Sequence, residues 1–258
     1  MSTVQFVGTA SRDSVFLTRE PLRADQKLHA TSSRVDIGGP AVNAARTFAR
    51  LGGRGSLWTG KKGIETMLTG LGLAVEGDPD YGYRESAVIV TEGGQRQIVS
   101  SAPPPPRTTL RMPACAFALA CSDLDFSQWV VGDSAETLVI DSGTSGAAIL
   151  SHPILERASI VIAGHGGFAD DVERRAMLRA LESRSITGYC SRGPAAILSQ
   201  NGEIPVPVVD AIDTSAAGDV LHGAFMYFLT RGADPDDAIR AAAEVASTST
   251  THLGVTPD

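Results

Sequence analysis

Cysteine is scarce in this chain of 258 residues. Cys115, Cys121 and Cys190 contain no Cys-x-x-Cys pair. Three such thiols exclude a disulfide framework and a zinc ribbon, and fit a reducing compartment. The histidines (His29, His152, His165, His222, His252) are scattered, with no metal-ligand spacing. No apolar run reaches the roughly 18 residues that a membrane span needs. The first residues, Met1 to Val7, lack a basic start followed by a long apolar stretch, so a cytoplasmic chain is expected. Basic charge is also in deficit: 22 Lys and Arg against 29 Asp and Glu leave a net charge of −7. A general nucleic-acid binder needs a basic stripe, and none is evident. Acidity does not exclude a negative substrate, because a few local amides or arginines can hold a phosphate.

What is present is an ordered globular composition, 43% hydrophobic and 20% charged. Short β-rich runs alternate with helical patterns. Residues 4–8, 56–59, 116–120, 137–140, 159–163, 186–191 and 195–198 are expected as strands. Helices are expected over 40–51 and 170–181, near Ala135, and over 147–156. This alternation predicts a mostly parallel sheet covered by helices on both faces. Two polar β-rich stretches break the rhythm, about 13–37 and 83–101. They are expected to meet as a small sheet projecting from a single body spanning 1–258. Glu92-Gly93-Gly94-Gln95 reads as the turn of a hairpin. Pro103 to Pro106 read as a stiff polyproline exit from that small sheet.

Two helices close the sequence. Over 220–230, Leu221, Ala224, Phe225 and Phe228 fall at i, i+3, i+4 and i+7; over 235–247, Ala238, Ala241, Ala242 and Val245 do the same. The second has a clear start. Asp234 can cap, Pro235 suits the first position, and Asp236 and Asp237 favour the positive end of the dipole.

Two glycine-rich helix starts carry the chemistry. In Gly38-Gly39-Pro40-Ala41-Val42-Asn43, glycines before a helix let the backbone approach a ligand, and Asn43 can donate to and accept from a polyol. Taken alone, a tight turn is the plainer reading. In Asp213-Thr214-Ser215-Ala216-Ala217-Gly218-Asp219, three small residues leave orphan N–H groups uncovered, an anion site suited to a transferring phosphoryl group. Asp219 is expected to be kept ionised by the macrodipole and to accept a proton from a hydroxyl. A cap at Asp213 and a dipole partner at Asp219 would explain the aspartates, but not the small residues between them.

The second segment resembles the C-terminal signature of the ribokinase, or PfkB, family of carbohydrate kinases, Asp-Thr-x-Gly/Ala-Ala-Gly-Asp. The first resembles that family's N-terminal signature, Gly-Gly-x-x-x-Asn followed by a helix and Leu-Gly, here Leu51-Gly52. Gly8-Thr9-Ala10-Ser11-Arg12-Asp13 is similar to its first strand and turn. The resemblance covers nearly the whole chain, loosely over 111–151. It implies a three-layer α/β/α sandwich with a β-sheet lid over a sugar site. In an ATP-dependent phosphotransferase of this kind, Asp219 would be the general base. Ala216, Ala217 and Gly218 would supply the anion hole, and Asp13, Gly38, Gly39 and Asn43 would hold sugar hydroxyls. Ser191-Arg192-Gly193 matches the family's Thr-x-Gly beside the nucleotide, so Ser191 and Gly193, with Ala243 on the adenine side, would bind ATP. Magnesium is expected with ATP, its protein ligands unassigned. Some members bind potassium, at positions matched by Asp213, Ser215 and Gly254. Relatives often pair lids, so a homodimer through the lid is expected as a partner arrangement.

Two departures stand out. Where the family often carries Asn-x-x-Glu or a Ser-Glu pair, this chain has Gly164-His165-Gly166-Gly167-Phe168-Ala169-Asp170, so Asp170 or Asp171 would have to compensate. Gly60-Lys61-Lys62-Gly63 replaces the usual Gly-x-Asp, which bears on substrate choice; Lys61 and Lys62 read as solvated, or as ligands of a phosphorylated sugar. Arg84, Arg96 and Arg107 lie on or near the small sheet, facing solvent or a substrate anion. His222 and Trp58 are read as packing residues. The alternatives are a nucleoside or vitamin kinase of the same fold, or a catalytically weak sugar- or nucleotide-binding regulator.

Overall fold

The structure, a computed structural model, describes residues 4–60, 63–77, 83–92, 95–101, 110–111, 115–121, 129–130 and 135–252. Pro103 to Pro106, Lys61, Lys62, Gly93, Gly94, Arg107 and Gly254 lie outside the described residues.

The strands are β1 (Val4–Val7), β2 (Ser11–Thr18), β3 (Ser32–Gly38), β4 (Ser56–Trp58), β5 (Ala74–Glu76), β6 (Arg84–Thr91), β7 (Arg96–Ser100), β8 (Leu110–Arg111), β9 (Cys115–Cys121), β10 (Trp129–Val130), β11 (Ala135–Gly143), β12 (Ile160–Ala163), β13 (Thr187–Arg192), β14 (Ala195–Ser199) and β15 (Gly202–Ile204). The α-helices are α1 (Pro40–Arg50), α2 (Glu65–Leu68), α3 (Asp171–Glu182), α4 (Ala217–Thr230) and α5 (Pro235–Ser249).

Nine strands form the central sheet, in the order β15-β14-β13-β12-β11-β9-β1-β4-β5. Pairing is parallel from β5 to β13, with β14 and β15 added antiparallel at one edge. Strands covered on both faces need apolar residues at every position. Ile160–Ala163 accordingly is apolar and buried throughout; Val4–Val7 is buried throughout as well, with Gln5 its one polar residue. Alternate side chains then feed two cores. Phe6 and Leu119 join α1, α4 and α5 on one face, and Val7, Ala118 and Ala120 join α3 on the other. These are the two outer layers of an α/β/α sandwich. The three cysteines are buried and free.

Four strands form a second sheet, ordered β3-β2-β6-β7, with β2 and β6 parallel and the outer pairs antiparallel. The two polar stretches set apart by the sequence are thus neighbours in one sheet.

Two helical expectations are corrected. Ala135 begins β11, because Thr137–Ile140 extends in both directions between β9 and β12. Residues 147–156 form two short 3₁₀ segments, Gly146–Ser151 and Pro153–Glu156. Pro153, which lacks an N–H, separates them by starting a new turn.

Candidate functional site

The N-terminal ends of α1 and α4 converge. Gly39 sits at φ 100° before α1, and a Cβ there would run into the backbone oxygen of Thr9, so only glycine fits this entry. Pro40 then opens the helix and places Asn43 in its first turn, buried. In α4, a Cβ at Gly223 would strike the carbonyl oxygen of Ala44, so the helices cross at backbone contact. This brings Asn43 to Asp219: its side-chain Nδ2 donates to the carboxylate Oδ2 at 2.8 Å.

Above this contact lies a cavity of about 260 Å³. Gly38, Gly39 and Asn43 line it from the first segment; Asp213, Ser215, Ala216 and Asp219 line it from the second. Asp13 on β2 and Arg84, Ser86 and Arg96 on the small sheet complete it.

Asp219 keeps partial access to the cleft, yet burial pushes its carboxyl up to about 6. The Asn43 hydrogen bond pulls it down, Asp141 pushes it up, and His222 and Arg96 pull it down. The carboxylate therefore stays largely ionised at neutral pH, with burial the largest influence on it. Asp13 is also raised, first by burial, against the hydrogen bonds of Ser11 and Ser86. It faces Asp36 directly across the β2–β3 pair, which pushes it the same way. The Oδ1 atoms of both Asp13 and Asn43 are buried without hydrogen-bond partners.

The second segment forms a tight turn before α4. Asp213 does not cap the helix; its Oδ1 accepts from the Ser215 N–H at 2.8 Å. Ala216 occupies the helix-cap position in the left-handed region, at φ 55°. The Ala217 N–H makes a long bond of 3.4 Å to the Thr214 carbonyl, so this amide is not wholly free. The Ser215 hydroxyl is buried with no hydrogen-bond partner.

The residues expected at the nucleotide are more dispersed. Ser191 lies near the carboxyl end of β13, where its hydroxyl donates to the Ala163 carbonyl at 3.3 Å. Gly193, at φ 64°, turns the chain into β14 with open space around it. Ala243, on α5, is buried and packs in the core.

Neither candidate for the absent glutamate is free. Asp170 caps α3, accepting from the N–H groups of Val172 and Glu173. Asp171 is held by Arg174 at 2.9 Å and Arg192 at 2.7 Å, and these cations keep its carboxyl low against partial desolvation. Trp58 donates to Glu76 at 3.1 Å, a polar contact added to its packing.

Two further residues stand beside Asp219: Asp141, given no role from the sequence, and His222, expected only as a packing residue. Asp141 follows directly on the apolar run of β11, at the carboxyl end of a parallel strand, where α/β sheets place ligand groups. That position was its signal. His222 lies one turn after Asp219 on α4, and only the fold shows that it faces Asp141, with Nδ1 3.3 Å from Oδ2.

This is the architecture of the ribokinase-like α/β proteins. The sequence profile of the pfkB family carbohydrate kinases matches residues 191–258. Ribokinase from Cryptococcus neoformans, in complex with ADP, superposes with a TM-score of 0.77 at 19% identity, over 99% of this chain and 96% of that one. A microbiome-derived acarbose kinase superposes with a TM-score of 0.80 at 15% identity, over 100% and 95%. Ribokinase from Arabidopsis thaliana, complexed with ribose and ATP, gives 0.75 at 15%, over 100% and 96%. By sequence alone, no curated protein matches at a significant level. The chain is ribokinase-like in fold throughout, and residues 191–258 match the PfkB family's profile. Among the described residues, no helix is long and apolar enough to cross a membrane.

Proposed function

We propose that this protein is an ATP-dependent kinase that phosphorylates a hydroxyl of a sugar or sugar-like alcohol. The observation that carries this reading is the Asn43–Asp219 hydrogen bond beneath a cavity of monosaccharide size, lined by both glycine-rich segments. The relatives crystallised with ADP, or with ribose and ATP, support it.

In this mechanism Asn43 orients Asp219 through Nδ2 and offers Oδ1 to a substrate hydroxyl. Asp13 accepts from a second hydroxyl. Asp219 takes the proton of the reacting hydroxyl, whose oxygen bonds to the γ-phosphorus as the bridge to the β-phosphate breaks and ADP departs. The amides around Ala216 and Gly218, at the positive end of α4, stabilise the transferring charge. Ser191 and Gly193 border the nucleotide. The four-stranded sheet, built from the stretches 13–37 and 83–101, acts as a lid that keeps water from competing as acceptor.

Magnesium takes oxygen ligands and retains several waters. Asp141, with a carboxylate oxygen within 4.8 Å of Asp219, offers it one ligand while Asp219 stays free to act as base, and ATP and water would fill the remaining positions. With ATP it would supply charge neutralisation. Asp213 and the unpartnered Ser215 hydroxyl are the described candidates for a potassium site.

A panel of pentoses, hexoses, ketoses and nucleosides in an ADP-release assay tests the reading and separates a sugar kinase from a nucleoside or vitamin kinase. Asp219→Asn should reduce turnover about 100- to 10,000-fold with nucleotide binding retained. Unchanged turnover in that variant would remove Asp219 from the mechanism. The capped Asp170 and paired Asp171 favour a second reading, a sugar- or nucleotide-binding regulator with weak catalysis. Ligand-induced thermal shifts without ADP formation on any acceptor would establish it.

A further inference from the structure

Asp141, Asp219 and His222 come from two elements, the end of β11 and the first two turns of α4. One ligand atom of each lies within 4.8 Å of the others. His222 is only 5% exposed, and neither ring nitrogen has a hydrogen-bond partner. An imidazole taken out of water normally acquires a partner for at least one nitrogen. Here Nδ1 instead points at a carboxylate oxygen 3.3 Å away, in a geometry that makes no hydrogen bond.

The separation suits a shared metal ion. Ligand bonds of about 2.0–2.1 Å spanning the 3.3 Å between His222 Nδ1 and Asp141 Oδ2 subtend about 105° at the metal, close to tetrahedral, and Asp219 reaches the same ion by a small side-chain shift. The supporting contacts also fit. Asp141 has Oδ1 held by the Gly143 N–H at 2.8 Å, which leaves Oδ2 toward the histidine. Asp219 has Oδ2 held by Asn43, which leaves its other oxygen available. Hydrogen bonds that fix one oxygen of each carboxylate are what orient ligands around a bound metal.

We propose that Asp141, Asp219 and His222 form a three-ligand site for a divalent transition metal of the zinc class, with the fourth position left to water. The imidazole is the discriminating donor. Magnesium uses oxygen ligands and water, so it gains nothing from His222, whereas zinc and cobalt favour nitrogen. The site brings two carboxylates and an imidazole to one ion, and its metal takes the oxygen lone pair that Asp219 needs as a base. Zinc is therefore an inhibitor of the phosphoryl transfer; this consequence, unlike the binding itself, rests on the proposed kinase reading.

The binding is tested on the full chain, stripped of metal, without nucleotide or acceptor. Titration with Co²⁺ should produce the intense visible absorption of a tetrahedral site, and Zn²⁺ should abolish it by displacement. In the wild-type protein, ¹⁵N NMR should show the His222 ring signals shifting with Zn²⁺ and staying in place with Mg²⁺. His222→Asn should weaken Zn²⁺ binding more than about 100-fold, beyond what losing a supporting group costs. Its turnover with magnesium and ATP should persist and lose its sensitivity to zinc. His222 signals indifferent to zinc, or unchanged zinc affinity in a folded His222→Asn variant, would overturn the site. Because binding is read without turnover, zinc bound through His222 in a protein that phosphorylates no acceptor would sink the kinase reading and leave this site standing.

Discussion

Asn43 donates its side-chain amide to the Asp219 carboxylate at 2.8 Å, across 176 residues of sequence. Nothing local to either residue requires the contact. It exists because α1 and α4 cross at Gly223 and start beside the same cavity. A hydrogen bond to a buried carboxylate stabilises its ionised form, so Asn43 sets both the direction and the proton affinity of the proposed base.

Replacing Asn43 with Ala should therefore act on two measurements. The KM for the acceptor should rise, because the free Oδ1 is lost. The acid limb of kcat/KM should also move to higher pH by about one unit, because the charged form of Asp219 loses a bond. A raised KM with an unmoved limb would confine Asn43 to substrate binding.

The wild-type limb itself should fall near pH 6, where burial places the Asp219 carboxyl. The base works when ionised, so kcat/KM should be level above about pH 7 and drop about tenfold per unit well below 6. Stability runs the other way. The folded state holds this proton above the ordinary value of 3.8, so the contribution of Asp219 to stability falls as pH rises from there toward 6. Against the Asp219→Asn variant, the wild type should lose melting temperature across that window.

Gly223→Ala tests the helix crossing. The added methyl meets the Ala44 carbonyl oxygen and the Thr47 side chain, so α4 must move away from α1. Overpacking of this kind costs about 1–3 kcal/mol. A displacement near 1 Å between Asn43 and Asp219 should also reduce turnover about 100-fold. Calorimetry and steady-state rates on one preparation would show whether the two losses occur together.

Ala216→Gly should do the opposite for stability. Ala216 is held at φ 55°, a conformation that carries a penalty of about 1–2 kcal/mol for a residue with a Cβ. Part of that gain is offset by the extra freedom of glycine in the unfolded chain. A rise in Tm of about 2–4 °C with turnover retained is expected. Lost activity would mean that the methyl itself holds the turn in its working shape.

Much of the fold was legible because its signals are local. A short continuous apolar run such as Ile160–Ala163 reads as a strand covered on both faces. Asp234-Pro235 marks a helix start by its own chemistry, and Asp234 does accept from the Asp236 N–H. The small residues between Asp213 and Asp219 announced a bare helix end by composition alone. Ala135 was misread because pairing with β9 overrides its helix propensity, and 147–156 because Pro153, with no N–H, breaks one helix into two 3₁₀ segments. At Asp170 and Asp171, the sequence shows carboxylates without showing that a helix cap and two arginines already occupy them.

By itself, then, the sequence determined the alternation of elements and the two glycine-rich helix starts, because periodicity, capping and steric smallness act within a few residues. Only the tertiary structure decided which side chains meet at Asp219. Asp141, Asp219 and His222 come together through the sheet order and one close helix crossing. The proton affinity of Asp219 was decided there too, since the exclusion of water around a carboxylate depends on the whole fold.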